Sequence, residues 1–219
     1  GAGEDEFYAH DGDDTVDGGA GDDTFLLTPN SNLTVIDTSG DNTLDFTRAD
    51  FKVAGVSSGT GINFDLSLIP TSGTTTYSQA VSTVGGTHIV SALGNFPNLV
   101  GSNFGDTLTA SSGSKISGGG GADRIIVKGN TTNVTLSGGA DDDIFEVTGT
   151  SILNLNFSGD AGIDTFINSG SITGLTFSGG ADGDIFTNVA GATIANLNFS
   201  GDAGIDQFID LNGVGQAHF

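Results

Sequence analysis

Cysteine, methionine and tryptophan are missing from this 219-residue chain, and basic residues are scarce. Five Lys and Arg stand against 27 Asp and Glu, for a formal charge of −22. Without Cys there can be neither a disulfide framework nor a thiolate metal site. That absence names no compartment, although it suits a protein exported before it folds. With so few cations there is no basic patch, and the field has the wrong sign for nucleic acid. An anionic membrane surface is disfavoured for the same reason. No run of about 18 apolar residues offers a membrane-spanning helix, and no signal peptide is visible. The chain opens at Gly1 in the middle of a repeat and has no Met. We therefore expect a segment of a longer protein, with any export signal outside it. With two Tyr (Tyr8 and Tyr77) and no Trp, the aromatic platforms usual in a polysaccharide groove are lacking.

What is plentiful is glycine, with 37 residues, and aspartate, which supplies nearly all the acid. A solvated acidic face would scatter its charge, and a disordered tail would block it. Here the acids recur beside Gly at turn positions, which favours cation ligation. At 36% hydrophobic and 15% charged, the chain is too apolar and too patterned for disorder.

The densest pattern is Gly18-Gly19-Ala20-Gly21-Asp22-Asp23-Thr24-Phe25-Leu26, which reads G-G-x-G-x-D-x-U-x with U a large apolar residue. Nine residues earlier lies Val16, in Asp11-Gly12-Asp13-Asp14-Thr15-Val16, and nine earlier again Phe7, in Gly1-Ala2-Gly3-Glu4-Asp5-Glu6-Phe7. The glycines can turn tightly because they accept positive φ at no steric cost. The x-U-x half is a short strand with one buried side chain. Carbonyl and carboxylate oxygens on a flexible turn are what Ca²⁺ prefers.

A longer repeat fills the C-terminal half. Asp123, Asp143, Asp164, Asp184 and Asp206 each close a Gly-rich turn and follow one another at 20 to 22 residues. Each turn leads into a short apolar strand containing Ile125, Phe145, Phe166, Phe186 or Phe208. An alternating strand such as Val134–Ser137, Leu155–Ser158, Leu175–Ser178 or Leu197–Ser200 precedes each turn from Asp143 onward. Period-2 alternation bounded by Gly-Asp turns signals strands, and no segment shows a 3.6-residue period. Constant spacing with the same chemistry at the same phase predicts an all-β, right-handed parallel β-roll or β-helix solenoid with coils of about 18–22 residues. An antiparallel sandwich is the alternative. In the solenoid, Phe157, Phe177 and Phe199 form one internal ladder, and Phe145, Phe166, Phe186 and Phe208 another.

Three segments follow: residues 1–28 with nonapeptides, 29–100 with degenerate coils, and 101–219 with the long repeat. In the middle segment Gly40-Asp41-Asn42-Thr43-Leu44 keeps the phase with Asn for Asp, and Ile62–Leu68 alternates as a strand. A looser excursion is expected around Thr71 to Asn95. Gly101-Ser102-Asn103-Phe104-Gly105-Asp106-Thr107-Leu108 then restores the pattern.

On these residues the chain resembles the RTX (repeats-in-toxin) calcium-binding β-roll proteins. The likeness covers essentially the whole chain, although only residues 1–26 keep the strict nonapeptide. It implies calcium held between successive turns and type I export from a Gram-negative cell, and it implies no single activity. The metal candidates it carries over are Gly1, Gly3, Asp5, Asp14, Gly18, Ala20, Asp22 and Asp23 in the nonapeptides, then Asp106. In the long repeat they are Gly118, Gly120 and Asp123; Gly138, Ala140, Asp141 and Asp143; Gly159, Ala161 and Asp164; Gly179, Ala181, Asp182 and Asp184; and Gly201 and Asp206. Asp5 and Asp23, two nonapeptides apart, are placed to flank one site, with Asp14 on the other edge facing Thr28-Pro29-Asn30-Ser31. The long period brings the Gly-Asp turn round once per coil. The five long-repeat turns should therefore stack on one edge, with up to four metal positions between them. The opposite edge should carry metal-free turns such as Thr148-Gly149-Thr150 and Asn168-Ser169-Gly170-Ser171. Asp160 and Asp202 stand in for the second turn Gly, and Asp141 and Asp182 for the third.

Other constellations read as incidental. Gly55-Val56-Ser57-Ser58-Gly59 matches a hydrolase elbow without the helix that motif needs. His10, His88 and His218 are scattered, and the sequons at Asn130 and Asn133 are common tripeptides. Paired carboxylates could serve glycosidic chemistry, but in turns of this kind ligation is the simpler role. The sequence thus points to a non-enzymatic, calcium-folded structural segment of a secreted or cell-surface bacterial protein, of adhesin-stalk or surface-layer type. The alternative is the calcium-binding export and folding module of a type I secreted enzyme or toxin whose catalytic part lies elsewhere. A β-helix acting directly on acidic polysaccharide is the less favoured third reading. Open strand edges at the ends of a solenoid invite self-association, end to end or in a lattice.

Overall fold

A computed structural model describes residues 1–9, 12–26, 31–47, 61–83, 86–212 and 217–218. Among them the chain is all-β apart from one 3₁₀ turn. The first strands are β1 (Glu6–Tyr8), β2 (Gly12–Val16), β3 (Thr24–Leu26), β4 (Ser31–Asp37), β5 (Thr43–Asp45) and β6 (Asn63–Asp65). They are followed by β7 (Tyr77–Thr83), β8 (Gly86–Gly94), β9 (Asn98–Val100), β10 (Thr107–Thr109), β11 (Lys115–Gly120) and β12 (Arg124–Val127). The regular coils then run through β13 (Asn130–Ala140), β14 (Ile144–Val147), β15 (Ser151–Ala161), β16 (Thr165–Asn168), β17 (Ser171–Ala181), β18 (Ile185–Asn188), β19 (Thr193–Asp202), β20 (Gln207–Asp210) and β21 (Ala217–His218).

One parallel sheet runs through all three sequence segments in the order β1-β3-β5-β9-β11-β13-β15-β17-β19-β21. Facing it, β20-β18-β16-β14-β12-β10-β6 forms a second sheet and β2-β4-β8-β7 a third. The chain leaves the ten-stranded sheet, crosses to one of the other two and returns. The result is a β-solenoid of about 9 turns with about 20 residues per turn. A single hydrophobic core runs from Ala9 to Leu197.

The aromatic ladders follow from the register. Phe157, Phe177 and Phe199 are paired across β15, β17 and β19. Phe145, Phe166, Phe186 and Phe208 are paired across β14 to β20. Within a ladder the rings stack: Phe177 and Phe199 at 4.9 Å and 2°, Phe166 and Phe186 at 5.1 Å and 10°. Between ladders they meet edge to face, as Phe177 and Phe186 do at 5.2 Å and 86°. Offset-stacked and T-shaped pairs are the arrangements that ring quadrupoles favour.

Asparagines bend the long strands. Asn133, Asn154 and Asn196 hold φ of 55°, 56° and 59°, and Gly174 takes that place in β17 with φ 79°. Asn tolerates the left-handed region better than most residues. The bend resets the alternation, so Thr131 and Val134 both point inward while Thr132 and Asn133 between them face solvent.

The middle segment departs from expectation in two places. The strand foreseen over Ile62–Leu68 stops at Asp65, and Leu66–Leu68 form the 3₁₀ turn. The Asp65 carboxylate accepts the Ser67 N–H at 2.9 Å, which caps that turn in place of a strand partner. The excursion around Thr71 to Asn95 contains an ordered pair of strands, with β7 antiparallel to β8 while β8 lies parallel to β4. The Gln79 side chain joins this pair to β6. It accepts the Asp65 N–H at 2.8 Å and donates to the Asp65 carbonyl at 2.9 Å, imitating a backbone ladder. The elbow-like Gly55–Gly59 stretch, His10 and Thr28–Asn30 lie outside the described residues.

Candidate metal centre

Each coil has two corners. At the first the chain leaves the ten-stranded sheet, and at the second it returns. Asp106, Asp123, Asp143, Asp164, Asp184 and Asp206 sit at the first corner, directly ahead of β10, β12, β14, β16, β18 and β20. Asp5, Asp23 and Asn42 sit at the second, directly ahead of β1, β3 and β5. The acidic column thus changes edge between Asn42 and Asp106.

At the first corner the aspartates form a continuous ladder. The Asp106 N–H donates to Asp123 Oδ1 at 2.7 Å, Asp123 to Asp143 at 2.7 Å, and Asp143 to Asp164 at 2.8 Å. Asp164 donates to Asp184 at 2.8 Å and Asp184 to Asp206 at 3.0 Å. One oxygen of each carboxylate is therefore spent on the preceding coil's backbone. The other is not: Oδ2 of Asp123, Asp143, Asp164 and Asp184 is buried without a hydrogen-bond partner. These residues are 1–2% exposed. Buried polar atoms in folded proteins are otherwise nearly always partnered, because an orphan keeps its full desolvation cost.

The glycines explain where those oxygens go. A Cβ placed on Gly118 would lie 2.1 Å from Asp123 Oδ2 and 2.6 Å from the Gly138 carbonyl oxygen. On Gly138 it would lie 2.2 Å from Asp143 Oδ2 and 2.7 Å from the Gly159 oxygen. On Gly159 both distances, to Asp164 Oδ2 and the Gly179 oxygen, are 2.2 Å, and on Gly179 they are 2.2 Å to Asp184 Oδ2 and 2.6 Å to the Gly201 oxygen. Gly201 repeats the carboxylate contact with Asp206. The coils of Gly118, Gly138, Gly159 and Gly179 therefore pack a carboxylate oxygen and the next coil's carbonyl against a backbone with no side chain. Asp106 differs, because the Ser102 N–H and hydroxyl and the Ile62 N–H satisfy both its oxygens.

Burial is the main cause that raises these acids above the ordinary 3.8. Asp123 is pushed up to about 8, Asp143 to about 7 and Asp164 to about 6, while donated backbone N–H groups pull the other way and neighbouring aspartates add to the rise. Asp106 and Asp184 are raised as well, again chiefly by burial. Among the described residues no side-chain cation pairs with the column: the side-chain ion pairs are Arg124–Glu146 and Lys128–Asp65, both on the surface.

The second corner of the same coils is built differently. Buried Asn168 donates from Nδ2 to Asn188 Oδ1 at 2.8 Å, and Asn188 donates to Asp210 Oδ1 at 2.8 Å. A carboxamide carries both donor and acceptor, so a stack of amides satisfies itself. A stack of carboxylates has only acceptors. One edge is closed by its own chemistry, and the other needs protons or cations.

Several candidates fall outside the column. Asp160 and Asp202 occupy the second-Gly position with φ of 74° and 66°. Serine hydroxyls clamp each of them: Asp160 by Ser137 and Ser158, Asp202 by Ser178 and Ser200. Those bonds hold Asp202 below the ordinary carboxylate value. Asp141 and Asp182 are exposed in left-handed turns with φ of 76° and 74°, and Asp141 accepts the Gly121 N–H at 3.0 Å. Gly120, Ala140, Ala161 and Ala181 stack in register along the turn. In the nonapeptides Asp5 donates its N–H to Asp23 Oδ1 at 2.7 Å, so the two are stacked neighbours. Gly1, Gly3 and Ala20 are joined by backbone bonds of 3.1 and 2.6 Å. Asp22 is exposed and accepts the Asp41 N–H at 2.8 Å. Asp14 lies within β2 opposite Leu33 rather than in a turn, because its coil pairs as a strand from Gly12 onward.

Sequence reasoning did not single out Asp37, whose Oδ2 is also buried and unpartnered. It also missed that Asn42 serves the ladder by accepting the Asp23 N–H at 2.8 Å. The signal was present, since Asp37 lies 19 residues after Gly18 and Asn42 lies 19 after Asp23.

Among the described residues no three Asp, Glu, His or Cys side chains gather on one point. A cation at the first corner would therefore take one carboxylate oxygen per coil and complete its shell from backbone carbonyls. The set is all oxygen, anionic, on glycine turns, and it suits a hard, flexible-geometry ion such as Ca²⁺ better than a nitrogen- or sulfur-seeking metal. Comparison with protein-family models finds no match, and comparison with curated proteins finds none either.

Proposed function

We propose that this chain is a calcium-binding segment whose solenoid is stabilised by the ion, belonging to a secreted or cell-surface protein of the RTX kind and serving as a rigid spacer or lattice element. The observation that carries the reading is the row of buried, unpartnered Oδ2 atoms of Asp123, Asp143, Asp164 and Asp184. Each faces a carbonyl of the following coil across a glycine. These carboxylates, with the carbonyls of Gly138, Gly159, Gly179 and Gly201, would hold the ions. Bound Ca²⁺ supplies positive charge that replaces the missing donors.

The protein's own residues do the remainder. Oδ1 of each aspartate fixes the side chain on the neighbouring coil, the glycines leave room for the second oxygen, and the parallel strand pairing sets the spacing between coils, along which the phenylalanines stack. Ions that bind only the folded form stabilise it by RT ln(1 + [L]/Kd), about 2.7 kcal/mol per site at a hundredfold excess. A few such sites match the roughly 5–15 kcal/mol that a whole domain typically has. A chain of charge −22 would stay expanded where calcium is submicromolar and become rigid where it is millimolar, the range in which extracellular modules bind with Kd on the order of 10⁻⁴ to 10⁻³ M. Circular dichroism in chelator and in millimolar Ca²⁺ tests this. A gain of β-signal with calcium is expected, and identical spectra would refute it.

A further inference from the structure

The coil that follows the nonapeptides departs from them by moving an acid rather than losing one. Parallel pairing of β2 with β4 at an offset of 19 residues aligns Gly18-Gly19-Ala20-Gly21-Asp22-Asp23 with Asp37-Thr38-Ser39-Gly40-Asp41-Asn42. The ladder position has become an amide and the first glycine has become an aspartate. Asn42 meets every demand of its place. Its Oδ1 accepts the Asp23 N–H at 2.8 Å and its Nδ2 donates to the Ser39 carbonyl at 2.9 Å.

The displaced acid creates a different constellation. Asp37 and Asp23 are each 1% exposed. Asp37 Oδ1 accepts the Ser39 N–H at 3.1 Å, and Asp23 Oδ1 accepts the Asp5 N–H at 2.7 Å. Both Oδ2 atoms are buried without a partner. Both converge beside Gly18, where a Cβ would lie 2.2 Å from Asp37 Oδ2 and 2.3 Å from Asp23 Oδ2. In the first-corner column Gly118, Gly138, Gly159 and Gly179 each face one carboxylate oxygen and one carbonyl; here Gly18 faces two carboxylate oxygens. Two buried like charges at one point repel unless something positive lies between them. The ion pairs among the described residues that involve side-chain cations lie elsewhere, at Glu146 and Asp65.

We propose that Asp23 and Asp37 together hold one divalent cation of the calcium type beside Gly18, at the corner opposite the aspartate column. With two carboxylates on one ion, this site fills before the single-carboxylate positions, since ligand charge count tunes calcium affinity. A shared proton would cancel only one of the two charges, whereas a divalent cation cancels both.

The test is titration of the whole chain with Ca²⁺, and with luminescent Tb³⁺, for the natural sequence, Asp37→Asn and Asp202→Asn. One binding event tighter than the rest is expected. In Asp37→Asn that event weakens by roughly tenfold or more. In Asp202→Asn it is kept, because serines already satisfy that carboxylate. Thermal unfolding separates ligation from mere structure. An amide at position 37 can donate to Asp23 Oδ2, so Asp37→Asn should melt higher than the natural sequence in chelator and gain less from calcium. An unchanged tight event, or a melting shift of equal size with and without calcium, overturns the proposal. Tb³⁺ anomalous scattering from crystals of the natural sequence gives a check that needs no variant. A peak touching both Oδ2 atoms supports the site, and its absence there overturns it. If circular dichroism shows no calcium dependence while the tight event persists, the folding-switch reading fails and this site stands.

Discussion

A carboxylate and a carboxamide have nearly the same shape, and the two corners of this solenoid exploit the difference. The Asn168–Asn188 stack satisfies itself, whereas Asp123, Asp143, Asp164 and Asp184 each leave one oxygen without a donor. Asp143→Asn should therefore act in opposite directions in the two states. Oδ1 still accepts the Asp123 N–H, and the orphaned anionic oxygen becomes an NH₂ facing the Gly159 carbonyl. In chelator the variant should melt above the natural sequence. In excess calcium it should lose roughly 5–10 °C of the ion-induced gain, the equivalent of one site. Differential scanning calorimetry in EGTA and in millimolar Ca²⁺ reads both values. At this scale the sequence revealed the column, because Asp123 to Asp206 recur at 20 to 22 residues. It hid Asp37, whose partnership with Asp23 appears only once Gly18 and Asp37 are seen to share a position on adjacent coils.

At the scale of the element, a coil gains stability from its neighbours. Phe177 stacks on Phe157 at 4.7 Å and on Phe199 at 4.9 Å, and meets Phe166 and Phe186 edge to face. Phe177→Ala removes the centre of that lattice and should cost about 3–5 kcal/mol, measured by denaturant unfolding in calcium. The ladders were legible because they combine two periods, alternation along the strand and recurrence along the chain. The corners within β13, β15, β17 and β19 were not. A single left-handed residue sets each one, Asn133, Asn154, Gly174 and Asn196 in turn, and nothing in alternation reveals a residue that breaks it. The β7–β8 pair escaped notice for a related reason. β8 joins the solenoid through β4, but the outer strand β7 meets β6 through a side chain, Gln79, standing in for a strand.

For the molecule as a whole, the charge of −22 and the buried acids act in the same direction. Asp123, Asp143 and Asp164 titrate at about 8, 7 and 6 in the folded chain against an ordinary 3.8. Without metal the folded form thus binds more protons than the unfolded one. The stability tied to those protons is fully present below about pH 4 and is lost as pH rises through 6 to 8. In chelator the melting temperature should fall between pH 5 and pH 8.5. Millimolar calcium should narrow or reverse that fall, because the ion takes the proton's place. A thermal series read by circular dichroism checks both slopes.

Cations are proposed to line one edge of the regular coils and not the other, and calcium anomalous scattering from crystals grown in millimolar Ca²⁺ reads their positions. Peaks should lie against the Oδ2 atoms of Asp123, Asp143, Asp164 and Asp184, with none along the Asn168–Asn188 corner. A bare aspartate column, or calcium on the asparagine edge, would overturn that assignment.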